Sequence, residues 1–415
     1  MTALFATNVA STLAKLNRAD VNYASQLVEA LLAAARQSGA SDVHLQPAPA
    51  GLEVRWRIDG VLQSVGTFPR GDVADVVARL KVLAGLLTYR ADVPQEGRIH
   101  MEPAAGDAVG SDVEMRVCTF PTLHGERAVV RLFAAESRFL HPQDLGLPGE
   151  IEAALLSQLR ETSGALLISG PAGSGKTTTA YACLRELARA AQGQRSLVSL
   201  EDPIEVAVPG VAQSQVNPAA GFDLTTGLRS LMRQDPEVIL VGEIRDRATA
   251  ETAFQASLTG HLVLSTFHAG SAAGALSRLM EMGIEPYLLR SGLRAVANQR
   301  LVRQLCGCAI PASTELQKLG LNVNRTLVAV GCSLCQQTGY RGRLVLAEML
   351  PPLEGPLAAA VLAHSDTQQL QQTAIAAGMT TIFARALAAV EAGTTDPAEL
   401  RRVLGFADGN APVTG

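Results

Sequence analysis

Aromatic residues are scarce in this 415-residue chain, at 4% of the total with one Trp. Base-stacking platforms of the kind that grip single-stranded nucleic acid are therefore not expected. Excess positive charge is missing too. Lys and Arg number 35 against 39 Asp and Glu, a formal charge of −4. That balance argues against a general nucleic-acid binder and allows at most a local basic patch. No apolar run approaches the roughly 20 residues that span a bilayer. The stretch from Met1 to Val21 lacks a basic segment followed by an apolar core, so no signal peptide is read there. Cysteine is also sparse. Of the six, Cys118 and Cys183 stand alone and four lie in two tight pairs. This is not the framework of a small disulfide-stapled secreted domain. Together these absences point to a cytoplasmic protein.

What is present is apolar material in quantity. At 47% hydrophobic residues, the chain can bury the cores of two or three domains. Its most informative stretch is Gly170-Pro171-Ala172-Gly173-Ser174-Gly175-Lys176-Thr177, which fits the phosphate-loop pattern G-x-x-x-x-G-K-[ST]. A short apolar run, residues 164–169, precedes it as a buried strand. Residues 178–191 follow as a helix rich in Ala, Leu and Arg. Strand, glycine loop and helix N-terminus make a nest of backbone N–H groups suited to a polyphosphate. Gly170, Gly173, Ser174 and Gly175 supply the cradle, Lys176 reaches the outer phosphates, and Thr177, with Thr178 beside it, offers a hydroxyl to Mg²⁺. The chain is expected to bind ATP or GTP.

Around this loop the pattern divides the chain. Residues 1–38 form an N-terminal segment with an amphipathic helix over 23–37, where Leu27, Val28, Leu31 and Leu32 share one face. Residues 39–135 read as an α+β domain, with a hairpin signal at Asp59-Gly60 and a helix expected over 72–87. Residues 136–149, with two prolines and two glycines, read as a linker. Alternating strands and helices over 150–300 imply a parallel sheet covered on both faces, with strands at 165–169, 197–200, 238–241 and 262–266. A cysteine-bearing module covers 301–348 and a helical region 349–415. Within that region Asp396-Pro397-Ala398-Glu399 has the N-cap, first-turn proline and acidic third residue of a helix start.

Other residues carry chemistry in more than one reading. Glu243 ends an apolar strand about 65 residues after Lys176, where a carboxylate holds Mg²⁺ through water or orients the attacking water. The alternative is a surface acid after a buried strand. Glu201, Asp202 and Glu205 crowd one strand end, either as a solvated turn or as an acidic cluster neutralised by cations. His261 and His268 flank the strand at 262–266, as phosphate sensors or as structural caps. Cys306 and Cys308, with Cys332 and Cys335, make a C-x-C and C-x-x-C set that suits tetrahedral Zn²⁺, or else a group of reduced thiols. Arg55, Arg57, Arg98, Arg116, Arg127 and Arg131 alternate with apolar residues in the first domain, as one solvated sheet face or as a guanidinium set aimed at a nucleotide.

Taken together, these segments resemble the secretion ATPase superfamily, and within it the type II secretion and type IV pilus assembly ATPases. The resemblance runs from about Ser41 to Leu404. It rests on Ser41-Asp42-Val43-His44-Leu45, Arg57-Ile58-Asp59-Gly60, Pro94-Gln95-Glu96-Gly97-Arg98 and Gly125-Glu126-Arg127. It continues through Glu201-Asp202-Pro203-Ile204-Glu205, Val241-Gly242-Glu243-Ile244-Arg245-Asp246, Thr259-Gly260-His261 to His268, and Cys332 to Arg343. The resemblance implies an α/β protein: a PAS-like α+β domain, a RecA-like P-loop motor domain, a cysteine-bearing insertion and C-terminal helices. It implies a homohexameric ATP hydrolase at the cytoplasmic face of the inner membrane, acting on a polytopic platform protein to assemble a pilus or pseudopilus. A retraction motor, a non-hydrolysing regulatory ring and a nucleic-acid motor are the alternatives. By the same resemblance Glu201 positions or activates water, Glu243 takes the Walker B role and His268 senses the γ-phosphate. Arg98 and Arg116 would reach a neighbour's nucleotide. ATP, Mg²⁺ and a structural Zn²⁺ are the implied cofactors.

Overall fold

The computed structural model describes residues 13, 15–70, 75–101, 113–132 and 139–406. Most of the first twenty residues, the start of the helix expected from 72, the first part of the expected linker and the tail beyond 406 lie outside the described residues. The chain divides into two compact units. The first comprises Met1–Ala135, Leu305–Ile310 and Ala329–Gly342; the second comprises Glu136–Gln304, Pro311–Val328 and Arg343–Gly415.

In the first unit, α1 (Tyr23–Gln37) is followed by β1 (Asp42–Ala48), β2 (Gly51–Ile58), β3 (Val61–Phe68), α2 (Val76–Leu83), β4 (Gln95–Met101), β5 (Val113–Thr122) and β6 (Gly125–Leu132). The strands form one sheet in the order β3-β2-β1-β6-β5-β4, and all neighbouring pairs are antiparallel. The sheet has a buried face and a polar one. Val43, Leu45, Val54, Trp56, Val117 and Val130 belong to a core shared with Leu27, Leu31 and Leu32 of α1. The β2–β3 hairpin turns at Asp59 and Gly60, both with positive φ, as a two-residue turn of the primed type requires. Within the described part of the helix expected over 72–87, α2 covers Val76–Leu83, and Asp75 caps its N-terminus by accepting from the N–H groups of Val77 and Ala78.

In the second unit, α3 (Gly149–Gln158), β7 (Gly164–Ser169), α4 (Lys176–Ala191), β8 (Leu197–Glu201), β9 (Ala212–Gln215), α5 (Leu224–Leu231) and β10 (Val238–Ile244) come first. Then follow α6 (Arg247–Leu258), β11 (Leu262–Phe267), α7 (Ala272–Glu281), α8 (Pro286–Gly292) and β12 (Leu293–Leu305). After the short β13 (Ile310–Pro311) and β14 (Leu327–Val328), β15 (Tyr340–Met349) returns to the sheet. The chain ends in α9 (Gly355–Leu362), α10 (Thr367–Ala376), α11 (Ile382–Glu391) and α12 (Pro397–Leu404). The seven-stranded sheet runs β15-β12-β7-β11-β10-β8-β9, and β12 through β9 pair in parallel. The two-residue period of a strand divides its side chains between two cores. Leu167, Ile239, Val241 and Val263 face one side with Phe254 of α6 and Leu276 of α7. Leu166, Ile168, Leu240 and Leu264 face the other with Leu184 and Leu187 of α4. Each fully buried Leu or Ile contributes about 1.5–3 kcal/mol, so these continuous apolar runs specify central parallel strands. No helix among the described residues is long and apolar enough to cross a membrane.

Candidate active site and cysteine centre

The phosphate loop joins the end of β7 to the start of α4, in the middle of the parallel sheet. Gly170 cannot be replaced: its φ is +148°, and a Cβ there would lie 2.5 Å from the Gln299 carbonyl oxygen. Gly175, also at positive φ, is the N-cap of α4. Gly173, Thr177 and Thr178 are exposed, whereas Ser174 and Lys176 are buried. Ser174 Oγ has no hydrogen-bond partner among the described residues. Lys176 Nζ donates to the Pro171 carbonyl at 2.9 Å, folded back over the loop it serves. Burial holds its ammonium below the usual lysine range; Glu243 opposes that shift and Arg300 adds to it.

Glu243 lies on β10 beside β11. The register slips between Val241 and Glu243, leaving Gly242 unpaired in the ladder, and a bulge of this kind re-aims the side chain that follows it. Thr266 Oγ1 donates to the Gly242 carbonyl at 2.7 Å and fixes the bulge. Glu243 Oε1 is 2.7 Å from His268 Nε2, and its Oε2 accepts from Arg245 Nε at 2.5 Å. Arg245 also reaches Asp202 at 3.7 Å. The acidic crowd is therefore cation-neutralised at Asp202. At Glu201 it is settled by neutral donors instead. The buried Glu201 carboxylate accepts from Ser199 Oγ at 2.5 Å, Gln213 Nε2 at 3.1 Å and the Tyr181 hydroxyl. Burial and the facing Glu201 charge raise the Tyr181 phenol well above its ordinary value, so it remains a donor. His261 has the structural role: its Nδ1 lies 2.9 Å from the Ala256 carbonyl at the end of α6.

The structure thus gathers Lys176, Glu243 and His268 at one end of the parallel sheet, with Glu201 at the neighbouring strand end. Arg98 and Arg116 belong to the first unit. They are directly opposite each other on β4 and β5, and Arg116 pairs with Glu96. Sequence reasoning missed Tyr181, Arg245 and the run Asn298-Gln299-Arg300 on β12. For Arg245 the signal was present, two residues after Glu243 and just past the end of β10. The others show no local signal, because their partners are distant in the chain.

The four paired cysteines converge. Their sulfurs all lie within 4.8 Å of one another. Cys306 to Cys332 and Cys308 to Cys335 are 3.8 Å, and Cys332 to Cys335 is 3.7 Å. A tetrahedral ZnS₄ centre with bonds of about 2.3 Å has sulfur–sulfur edges of about 3.8 Å, so the donor set fits Zn²⁺. The backbone N–H groups of Cys332 and Gly339 donate to Cys335 Sγ at 3.1 and 3.2 Å, the outer support a thiolate requires.

Comparison with known proteins agrees with this geometry. The model of the family described as Type II/IV secretion system protein matches residues 17–402. Type II secretion system protein E of Pseudomonas aeruginosa is 44% identical over 332 residues, covering 78% of this chain and 64% of that protein. Type II secretion system ATPase E of Vibrio cholerae is 40% identical over 386 residues, covering 91% of this chain and 75% of that one. Type IV pilus assembly ATPase PilB of Thermus thermophilus is 37% identical over 372 residues, covering 88% of this chain and 41% of PilB. The chain therefore spans between two fifths and three quarters of the length of these relatives. Among solved structures, the Legionella pneumophila ATPase DotB aligns with a TM-score of 0.66 at 18% identity, covering 91% of this chain and 95% of DotB. The pilus retraction motor PilT aligns with a TM-score of 0.54 at 22% identity, covering 90% of this chain and 98% of PilT. Both show a shared fold.

Proposed function

This chain belongs to the type II/IV secretion system protein family, and on that premise we propose that it hydrolyses ATP to power assembly of a type IV pilus or a type II secretion pseudopilus. The observation that carries the reading is the convergence of the phosphate-loop Lys176 with the Glu243–His268 pair.

The chemistry follows from the residues. Phosphoryl transfer to water asks for positioning and charge stabilisation more than for covalent help. The loop N–H groups and the Lys176 ammonium bind the phosphates; a polyphosphate offers Lys176 a better acceptor than the Pro171 carbonyl. Thr177 would hold Mg²⁺, which when bound supplies the charge that offsets the outer phosphates. Glu243 aligns the attacking water, and His268 holds that carboxylate and reports on the γ-phosphate. Glu201, tied down by its three donors, is the second water-positioning carboxylate.

The finer reading is a homohexameric ring at the cytoplasmic face of the inner membrane, peripheral through a platform protein, in which Arg98 and Arg116 complete a neighbour's site. The four-cysteine set, as a structural Zn²⁺ site, supports assembly rather than retraction, and no specific nucleic acid is among the proposed partners. Phosphate release from ATP, with and without Mg²⁺, tests the activity. Hydrolysis that needs Mg²⁺ and rises in specific rate with protein concentration is expected; binding without turnover would favour a regulatory ring component instead.

A further inference from the structure

Three consecutive residues of β12 hold the two loops that build the nucleotide site. Successive side chains on a strand point to opposite faces, so Gln299 faces one way and Asn298 and Arg300 the other. Gln299 faces the phosphate loop. Only 2% exposed, it accepts from Thr179 Oγ1 at 3.0 Å and donates to the Ser174 carbonyl at 2.7 Å. These bonds grip the loop at Ser174 and the first turn of α4 at Thr179. Asn298 Nδ2 donates to Ser169 Oγ at 2.9 Å and to the Ala269 carbonyl at 3.2 Å. Arg300 Nη2 donates to the Gly270 carbonyl at 2.6 Å, while its Nη1 reaches Asn298 Oδ1 at 3.3 Å and the Gln299 carbonyl at 3.2 Å. Ala269 and Gly270 directly follow His268.

We propose that Asn298, Gln299 and Arg300 form a brace of positioning residues that divides its work between binding and turnover. Gln299 sets the shape of the phosphate loop and so the affinity for nucleotide. Asn298 and Arg300 pin the segment after His268, and so hold its imidazole against Glu243. A buried carbonyl or hydroxyl left without its partner costs free energy on the scale of a hydrogen bond, so each half of the brace resists relaxation. Arg300 acts through its planar fork, which engages several carbonyl oxygens at once; a lysine ammonium cannot reproduce that geometry.

The inference rests on reading the chain as an ATP hydrolase, and its test separates the two. In full-length protein, the dissociation constant for a fluorescent ADP analogue is measured beside kcat, KM and the melting temperature. The variants are Gln299→Leu, Arg300→Ala, Arg300→Lys, His268→Ala and the double variant Arg300→Ala/His268→Ala. Gln299→Leu should weaken ADP binding about 10-fold, with kcat at saturating ATP within about 3-fold of the starting protein. Arg300→Ala should do the reverse, with ADP affinity within about 2-fold and kcat down about 10-fold. Arg300→Lys should be as slow as Arg300→Ala. The double variant should be no slower than His268→Ala, because Arg300 works through that loop. If Gln299→Leu does not fold, Gln299→Asn, one methylene shorter, should show the same selective loss of affinity. Equal losses of affinity and kcat in every variant, full recovery in Arg300→Lys, or additive losses in the double variant would overturn the brace. An unsubstituted chain that neither binds ADP nor hydrolyses ATP would instead overturn the hydrolase reading.

Discussion

Glu399 offers a stability prediction that the structure allows to be worked through. Its side chain is fully buried on α12. One carboxylate oxygen accepts from the Arg303 backbone N–H at 2.8 Å and from Arg402 Nη2 at 2.5 Å. The other accepts from Arg303 Nε at 2.9 Å and Arg402 Nε at 2.7 Å. Arg303 is itself mostly buried, on the strand that carries the Asn298–Arg300 brace. In Glu399→Ala this guanidinium and a backbone N–H lose the Glu399 carboxylate as an acceptor, and breaking a buried pair costs about 3–5 kcal/mol. At about 2–4 °C per kcal/mol for a unit of this size, the melting temperature should fall by about 6–20 °C. The sign of the pH dependence follows as well. Burial pushes the Glu399 carboxyl up, but the two arginines outweigh it and hold its pKa below that of an ordinary glutamate in the unfolded chain. Its contribution is therefore present above that unfolded value and lost as pH falls through the folded one. Thermal melts of both proteins from about pH 8 down to about pH 3, through the range near pH 4 where carboxylates titrate, give the test. The gap between them should be wide at neutral pH and close at the acid end. A gap below about 1 kcal/mol at neutral pH, or one that stays constant into acid, would refute the reasoning.

Zinc analysis of protein purified without added metal should give about one ion per chain, and chelation should lower the melting temperature; four freely titratable thiols and no zinc would count against the centre. Tyr181→Phe removes a donor to Glu201 and leaves the Glu205 N–H without its hydroxyl acceptor. Its kcat should fall about 10-fold with little change in ADP affinity, and an unchanged kcat would remove Glu201 from the water-positioning role. Mixing an Arg98→Ala/Arg116→Ala chain with a Lys176→Ala chain should restore part of the activity that each lacks, because an arginine supplied in trans is worth about 10³–10⁵ in rate; no recovery on mixing would give these arginines another task.

Much of the fold was legible because its strands carry one-dimensional signals. β7, β8, β10 and β11 read as apolar runs since both faces of a central parallel strand are buried. Helix α1 spans Tyr23–Gln37, the range read from the spacing of Leu27, Val28, Leu31 and Leu32. β9, with the sequence Ala-Gln-Ser-Gln, has almost no apolar content and is a strand only because it pairs with β8. β12 was missed for a related reason. Its Asn298, Gln299 and Arg300 look like surface residues, yet two of them are buried against partners far away in the chain. Glu399 illustrates a local rule overridden. Its position promised a capping box; Asp396 does cap α12, but the Glu399 carboxylate turns to Arg303 and Arg402 instead. The phosphate loop and the cysteine pairs were readable because chemistry fixes their spacing. The hydrogen-bonded shell around them was not, because it is built from tertiary contacts.

The central claim is that Lys176 and Glu243 serve different steps of ATP hydrolysis, and parallel measurement of nucleotide binding and phosphate release tests it most directly. Lys176→Ala should lose both, since it removes a phosphate contact and a buried cation. Glu243→Gln keeps the shape of the site and should bind ATP nearly as the unsubstituted chain does, while turnover falls about 10²-fold or more. Near-normal turnover in folded Glu243→Gln would contradict the account.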